Sequence, residues 1–181
     1  MKRINTLLIL LAICVTLPAT AQKYSTEKGN ATFFSSAPIE DIEAKSKKMV
    51  CKFNTDDNKV AFGVSIRSFM FENEKMREHF NENYMESGKY KIAKFFGSIQ
   101  DTIDYTVDGT YDVTVKGKLT IHGVTQARTI KGKVIVKDGK IQFKSTFNVK
   151  VGDHKIEIPK LMFQKIAETV KVTIDCTLDK V

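Results

Sequence analysis

The feature that most constrains this 181-residue chain is a sustained alternation of apolar and polar side chains over three long stretches. Tyr111, Val113, Val115, Leu119 and Ile121 alternate with Asp112, Thr114, Lys116, Lys118 and Thr120. Ile141, Phe143, Phe147, Val149 and Val151 do the same against Gln142, Lys144, Thr146, Asn148 and Lys150. So do Val170, Val172, Ile174, Cys176 and Leu178 against Lys171, Thr173, Asp175 and Thr177. Successive side chains of a strand point to opposite faces, so each stretch makes one dry face and one wet face. A helix cannot use a period of two.

Shorter runs with the same period precede and separate these. Ala31 to Ser36 carries Phe33 and Phe34; Asp41 to Asn54 ends with Met49, Cys51 and Phe53 on one parity; Val60, Phe62, Val64 and Ile66 form an even face. Ile92 to Ile99 contributes Ala93, Phe95 and Ile99, with Phe96 out of phase, and Thr125 to Lys137 contributes Ile130, Val134 and Val136, with Ile135 out of phase. Turn chemistry falls between the runs at Asp56-Asp57-Asn58, Asp108-Gly109, His122-Gly123 and Asp138-Gly139, the last a strong signal for a two-residue hairpin. About eight strands result, mostly antiparallel. Phe71 to Gly88 departs from the pattern: Met76, Phe80, Tyr84 and Met85 recur at helical spacing and Gly88 supplies a stop, which predicts one amphipathic helix covering an open end of the sheet. A turn of helix is also expected after Pro159, where Leu161, Met162, Phe163 and Ile166 gather.

Eight long strands with one dry face each would leave two exposed edges if flat, and closure removes both. The expected fold is therefore all-β with one short helix: an extended eight-stranded antiparallel β-barrel, lipocalin-like. A barrel of this size is either filled by its own side chains or holds one small ligand. The inward parity is almost free of charge, so any cavity is apolar and suits an elongated hydrophobic molecule. Phe62, Val64, Ile66, Phe95, Val113, Val115, Leu119, Phe143, Phe147, Val172 and Ile174 are the expected lining of such a tunnel, with Met76, His79, Phe80 and Tyr84 at its mouth. Ala93, Gly117, Gly132 and Ser145 are the small inward positions that would leave room.

Residues 1–21 have a different character. Lys2 and Arg3 precede an apolar run from Leu7 to Leu17, then Pro18 and Ala19-Thr20-Ala21. This is the layout of a secretory leader, with an apolar run too short for a permanent span. Cleavage is expected after Ala21, leaving 22–181 as one domain and an exported, periplasmic or extracellular protein. Leu11-Ala12-Ile13-Cys14 is a poor lipid-attachment motif, since Ile13 is bulky where a small residue belongs. Of the three cysteines, Cys51 and Cys176 remain in a disulfide-permissive compartment. Both fall in strand-like runs and read as small buried apolar side chains.

The formal net charge is +8, two units of it in the leader. Lysines 116, 118, 131, 133, 137, 144, 150 and 171 fall chiefly on the wet parity, as an outer barrel face requires. Nucleic acid is not an expected partner. Attraction of this face to an anionic membrane surface is a secondary expectation, and pairing of two copies stays open.

Three segments carry a family resemblance: Met76–Phe96 (MREHFNENYMESGKYKIAKFF), Lys116–Thr125 (KGKLTIHGVT) and Gly152–Val172 (GDHKIEIPKLMFQKIAETVKV). Together they resemble the YceI-like family of exported lipid-binding proteins over nearly all of residues 22–181, with Lys91 where that family usually has proline. The resemblance implies an elongated barrel whose tunnel binds polyisoprenoid chains, such as isoprenoid quinones or prenyl phosphates, and it implies no catalytic residues and no required cofactor.

The residues agree with a non-enzymatic reading. His79, His122 and His154 lie in separate segments without metal-ligand spacing, and no nucleophile motif, phosphate loop or acid–base pair appears. His122 reads as a turn residue held by hydrogen bonds, and Asp153 and Glu157 as surface groups. The alternatives are a barrel with a self-filled core that docks a protein partner and, further off, an enzyme acting on an amphiphile.

Overall fold

The computed structural model describes residues 22–162 and 164–181. The expected leader and its cleavage site lie outside the described residues, as does Phe163. Among the described residues nine strands form: β1 (Lys23–Ser36), β2 (Asp41–Asn54), β3 (Lys59–Ser65), β4 (Met70–Phe71), β5 (Ile92–Ile99), β6 (Gly109–Ile121), β7 (Val124–Lys137), β8 (Lys140–Lys150) and β9 (Thr169–Lys180). Eight of them close a ring in the order β1-β2-β3-β5-β6-β7-β8-β9, each antiparallel to its neighbour, and β9 pairs back onto β1. The short β4 is an addition beside the start of β2, pairing Phe71 with Ala44.

Turn chemistry holds the meander in register. Asp138 and Gly139 both adopt positive φ, 51° and 72°, and His122 and Gly123 do likewise, 50° and 72°. Two consecutive left-handed residues make the tight turn whose twist matches that of the strands it joins. The β6–β7 hairpin consequently runs in unbroken register from Ile121–Val124 to Gly109–Val136.

Three expectations need correction. β1 begins at Lys23, eight residues before Ala31, because a bulge around Gly29 breaks the alternation that marks a strand. The helix is shorter than Phe71–Gly88: α1 spans Glu74–His79 and continues as a π-helical turn over Phe80–Tyr84, with the Asn73 side chain capping the Lys75 N–H at 2.8 Å. Phe71 belongs to β4 instead. Ile66 is still buried, but in a single 3₁₀ turn (Ile66–Ser68) after β3 ends. A 3₁₀ turn does follow Pro159, over Lys160–Met162.

The two ends of the barrel differ. At the end bearing the β2–β3 and β7–β8 turns, Phe53 meets Tyr105 and Phe143 edge to face at 5.2 and 5.3 Å, and Phe62 meets Phe143 at 5.8 Å. Val134, Ile141 and Leu178 are completely buried around them. This half is solid. At the other end the 66–91 connection with α1, the 151–168 segment and the 37–40 loop fold over the opening. The last two are tied by the Ile39 N–H to the Gln164 carbonyl (2.9 Å), and the Ala167 N–H holds the 151–168 segment to Ser35 Oγ at the end of β1 (2.9 Å).

Candidate functional site

Above the solid half the inward faces do not meet. They enclose a cavity of about 300 Å³, at the lower end of the range for ligand pockets. All eleven residues expected to line a tunnel border this one space: Phe62, Val64, Ile66, Phe95, Val113, Val115, Leu119, Phe143, Phe147, Val172 and Ile174. Met76, His79, Phe80 and Tyr84 join them on the α1 side. Phe62, Val64, Val115, Phe147, Val172 and Ile174 are only partly buried although they point inward, which is what an unfilled space beside them produces.

Phe80 anchors the cover. Its ring stacks on Phe33 of β1 at 5.2 Å and meets Phe71 at 5.0 Å and Phe69 at 6.0 Å. Four rings from three elements thus hold the helical segment over the opening, each pair adding roughly 1 kcal/mol beyond burial. A second bracket is polar. The His122 Nε2 lies 2.8 Å from Glu86 Oε2, its Nδ1 lies 3.3 Å from the His154 carbonyl, and Tyr90 packs edge-on at 4.4 Å. His122 therefore ties the β6–β7 turn to both covering segments, a longer reach than a ring fixing its own hairpin. His154 is fully buried, its Nδ1–H donating to the Val124 carbonyl at 3.0 Å, while Nε2 has no partner among the described residues. His79 stays apart from the other two, and His122 meets His154 only at its backbone carbonyl. No group of three His, Cys, Asp or Glu that could hold a metal occurs among the described residues.

Glu40, His79 and Lys165 border the cavity from the covering segments, and Thr32, Ser35, Lys94, Lys131, Lys133, Lys144 and Ser145 border it from the wall. Burial pushes the Tyr84 phenol above its ordinary range, as expected for a hydroxyl facing apolar walls. Lower down, Gly117 does not leave room for a ligand as expected. It pairs with Gly97, and the Phe95 ring lies across both; a Cβ on Gly117 would fall 2.6 Å from Phe95 Cζ and 2.4 Å from the Phe96 carbonyl oxygen. Gly132 and Ser145 do border the cavity, where the β7–β8 ladder stops at Lys133–Lys144. Beyond that point side chains bridge the two strands, Ser145 Oγ donating to the Lys131 carbonyl at 2.6 Å and Arg128 to the Asn148 carbonyl.

The sequence reading missed part of the lining. Ile130 and Val170 share the parity of recognised runs and were findable by it. Phe33, Phe69 and Phe71 depend on how the 66–71 connection folds back, and Ile156, Ile158, Met162 and Ile166 come from an irregular segment that no period marks.

A family model of the YceI-like domain matches residues 19–178. The chain belongs to this family. Its backbone is similar to that of a polyisoprenoid binding domain from Saccharophagus degradans implicated in plant cell wall breakdown, with a TM-score of 0.75 and 15% identity over 88% of this chain and 98% of that one. It is also similar to Burkholderia cenocepacia BcnA (TM-score 0.68, 16% identity, 83% and 96% covered) and to the Campylobacter jejuni YCEI protein (0.55, 19%, 98% and 97%). At such identities the shared property is the fold. No curated protein sequence matches the chain. The YceI-like barrel expected from the alternation and the LTIHGVT segment is thus the fold observed.

Proposed function

We propose that this YceI-like protein is an exported, non-enzymatic carrier that holds the hydrocarbon chain of an amphiphilic lipid of isoprenoid type, such as a quinone or prenyl phosphate. The observation that carries the reading is the half-filled barrel: a cavity walled mainly by apolar side chains and closed below by packed rings, with Glu40, His79 and Lys165 at its mouth. Such a space accepts a tail and leaves a head group near water. Burying about 400 Å² of hydrocarbon would contribute on the order of 10 kcal/mol before the cost of immobilising the chain. The polyisoprenoid binding domain among the similar structures supports the choice of lipid, and the leader-like first 21 residues support export.

The mouth also suits contact with a membrane surface. Ile39 and Met70, 62% and 56% exposed, stand on the covering segments at this end. Their side chains would meet lipid where an amphiphile is collected or released.

Native mass spectrometry and organic extraction of protein purified without detergent test the proposal. A bound species that extracts as a long-chain lipid is the expected result. An empty protein that also fails to take up prenyl alcohols or quinones from vesicles refutes it.

A further inference from the structure

Two thiols meet inside the barrel wall. Cys51 lies on β2 and Cys176 on β9, the strands that flank β1 on its two sides. Both are buried free thiols, neither borders the cavity, and Cys176 lies near enough to push the Cys51 thiol up. Strands two places apart in a flat sheet stand about 9–10 Å from each other, beyond the roughly 7 Å between Cα atoms that a disulfide spans.

Three features shorten the gap here. The curvature of the barrel makes inward side chains converge, and β2 and β9 approach within 8 Å, Cα to Cα. β1 is bulged where it separates them: its register against β2 slips between Thr26 and Gly29, and it makes no pairs with β9 between Ser25 and Asn30. β1 carries Gly29 at this point, where a Cβ would stand 2.9 Å from Cys176 Cβ on β9 and 2.9 Å from the Met49 carbonyl oxygen on β2. Only glycine leaves this space.

We propose that Cys51 and Cys176 form an intramolecular disulfide that joins β2 to β9 across β1, and that the bond forms during folding. The oxidant is a disulfide, of glutathione or of a thiol oxidoreductase. One cysteine thiolate attacks it and displaces a thiol; the second thiolate then attacks the mixed disulfide and displaces the other. Two electrons pass from the cysteines to the oxidant, which leaves as two thiols, and the cysteine protons go to solvent or to those thiols.

The timing follows from burial. Within the closed barrel, desolvation and then the contact with Cys176 hold the Cys51 thiol far above its ordinary range, so the attacking thiolate is scarce. In the unfolded chain the thiolate is available. Once formed, the bond closes a loop from residue 51 to residue 176, which restricts the unfolded state and should raise the thermal midpoint on the order of 10 °C for a chain of this size.

The test refolds the purified chain from denaturant in a buffer of reduced and oxidised glutathione, denatures it with iodoacetamide and reads the intact mass. The expected mass is two hydrogens below that of the dithiol, with no alkylation until a reductant is added. The thermal midpoint should lie about 10 °C above that of protein refolded under reductant, a difference absent from C51S/C176S. Oxidised glutathione added to the folded, reduced barrel should leave both thiols free. Native-like protein that alkylates at both cysteines after redox refolding, or carries a glutathione adduct on one, overturns the disulfide. Rapid oxidation of the folded barrel overturns the timing. The mass measurement uses the unsubstituted chain, so it stands whether or not the variant folds.

Discussion

If a hydrocarbon chain occupies the cavity, narrowing the space at mid-depth must cost affinity in proportion to the methylenes excluded. Ile174 is the position to use. It lines the cavity from β9, and its cross-strand neighbours are small, Ser145 on β8 and Ala31 on β1, so a larger apolar side chain has room to extend inward. Ile174→Phe adds about three heavy atoms and should displace about three methylenes of ligand, which at roughly 0.8 kcal/mol each is about 2.5 kcal/mol, or roughly 60-fold in dissociation constant. Phenylalanine brings no polar atom that would need a buried partner, so the thermal midpoint should hold or rise as the void is filled. The assay is displacement of N-phenyl-1-naphthylamine by a prenyl alcohol, with Lys171→Ala on the outer face as the control. A folded Ile174→Phe protein whose affinity stays within threefold of the unsubstituted chain would refute the argument that the tail runs past this point.

Three further outcomes are expected. Gly117→Ala should destabilise the barrel by about 3 kcal/mol, because its Cβ would meet the backbone of β5 as well as the Phe95 ring; Gly139→Ala, which meets nothing but sits at φ 72°, should cost only about 1 kcal/mol, and equal losses in urea unfolding would contradict this. Burial, with a smaller push from Asp101, raises the Tyr105 phenol to about 12; between pH 10 and 12 the folded barrel keeps a proton that the unfolded chain gives up, so stability should fall as pH rises through that window. Tyr105→Phe should remove about 1 kcal/mol of that loss, a figure already discounted for the half-exposed ring, and the check is unfolding at pH 9 against pH 11.5. His122→Ala deletes the contacts to Glu86 and the His154 carbonyl; a loss of about 1.5 kcal/mol and faster probe release in stopped flow are expected, and unchanged release would mean that this bracket does not hold the cover.

The strands were legible because a half-buried strand writes its geometry directly into the order of its residues. The same parity that placed Val113 and Val115 inward also placed Phe143, Phe147, Val172 and Ile174, so the cavity walls came with the fold. Legibility failed where a residue's role depends on a partner distant in sequence. Gly117 looks like a gap until Gly97 is set opposite it and Phe95 is laid across both. Gly29 breaks the alternation of β1, which hid its first eight residues, and its reason is a steric one supplied by Cys176 and Met49 from two other strands. The covering segments were read as a helix and a turn, but which rings they bring to Phe33 depends on how residues 66–71 turn back beside β2. No local period encodes that.

For the lipid proposed above, the division of the barrel into a solid half and an open half sets a direction of entry. Both halves share one alternating pattern, so apolar parity alone does not separate them; the distribution of rings does. Phe53, Phe62, Tyr105 and Phe143 meet edge to face and fill the width of the barrel at one end. Aliphatic residues and Phe147 line the middle without spanning it, and Phe69, Phe71 and Phe80 close over the top from the covering connection, packing against Phe33 of β1. A tail admitted beneath α1 would therefore stop against Phe143 and Phe62, because passing them requires breaking several ring contacts worth roughly 1 kcal/mol each in a region with no free volume. The head group of such a lipid would then stand at the level of Glu40, His79 and Lys165, where both signs of charge are within reach. The aromatic floor sets how much of a chain is buried, and residues at the mouth set which head group is tolerated; substitutions at Phe143 should accordingly change chain-length preference, while Lys165→Glu should shift the balance between anionic and neutral head groups without changing it.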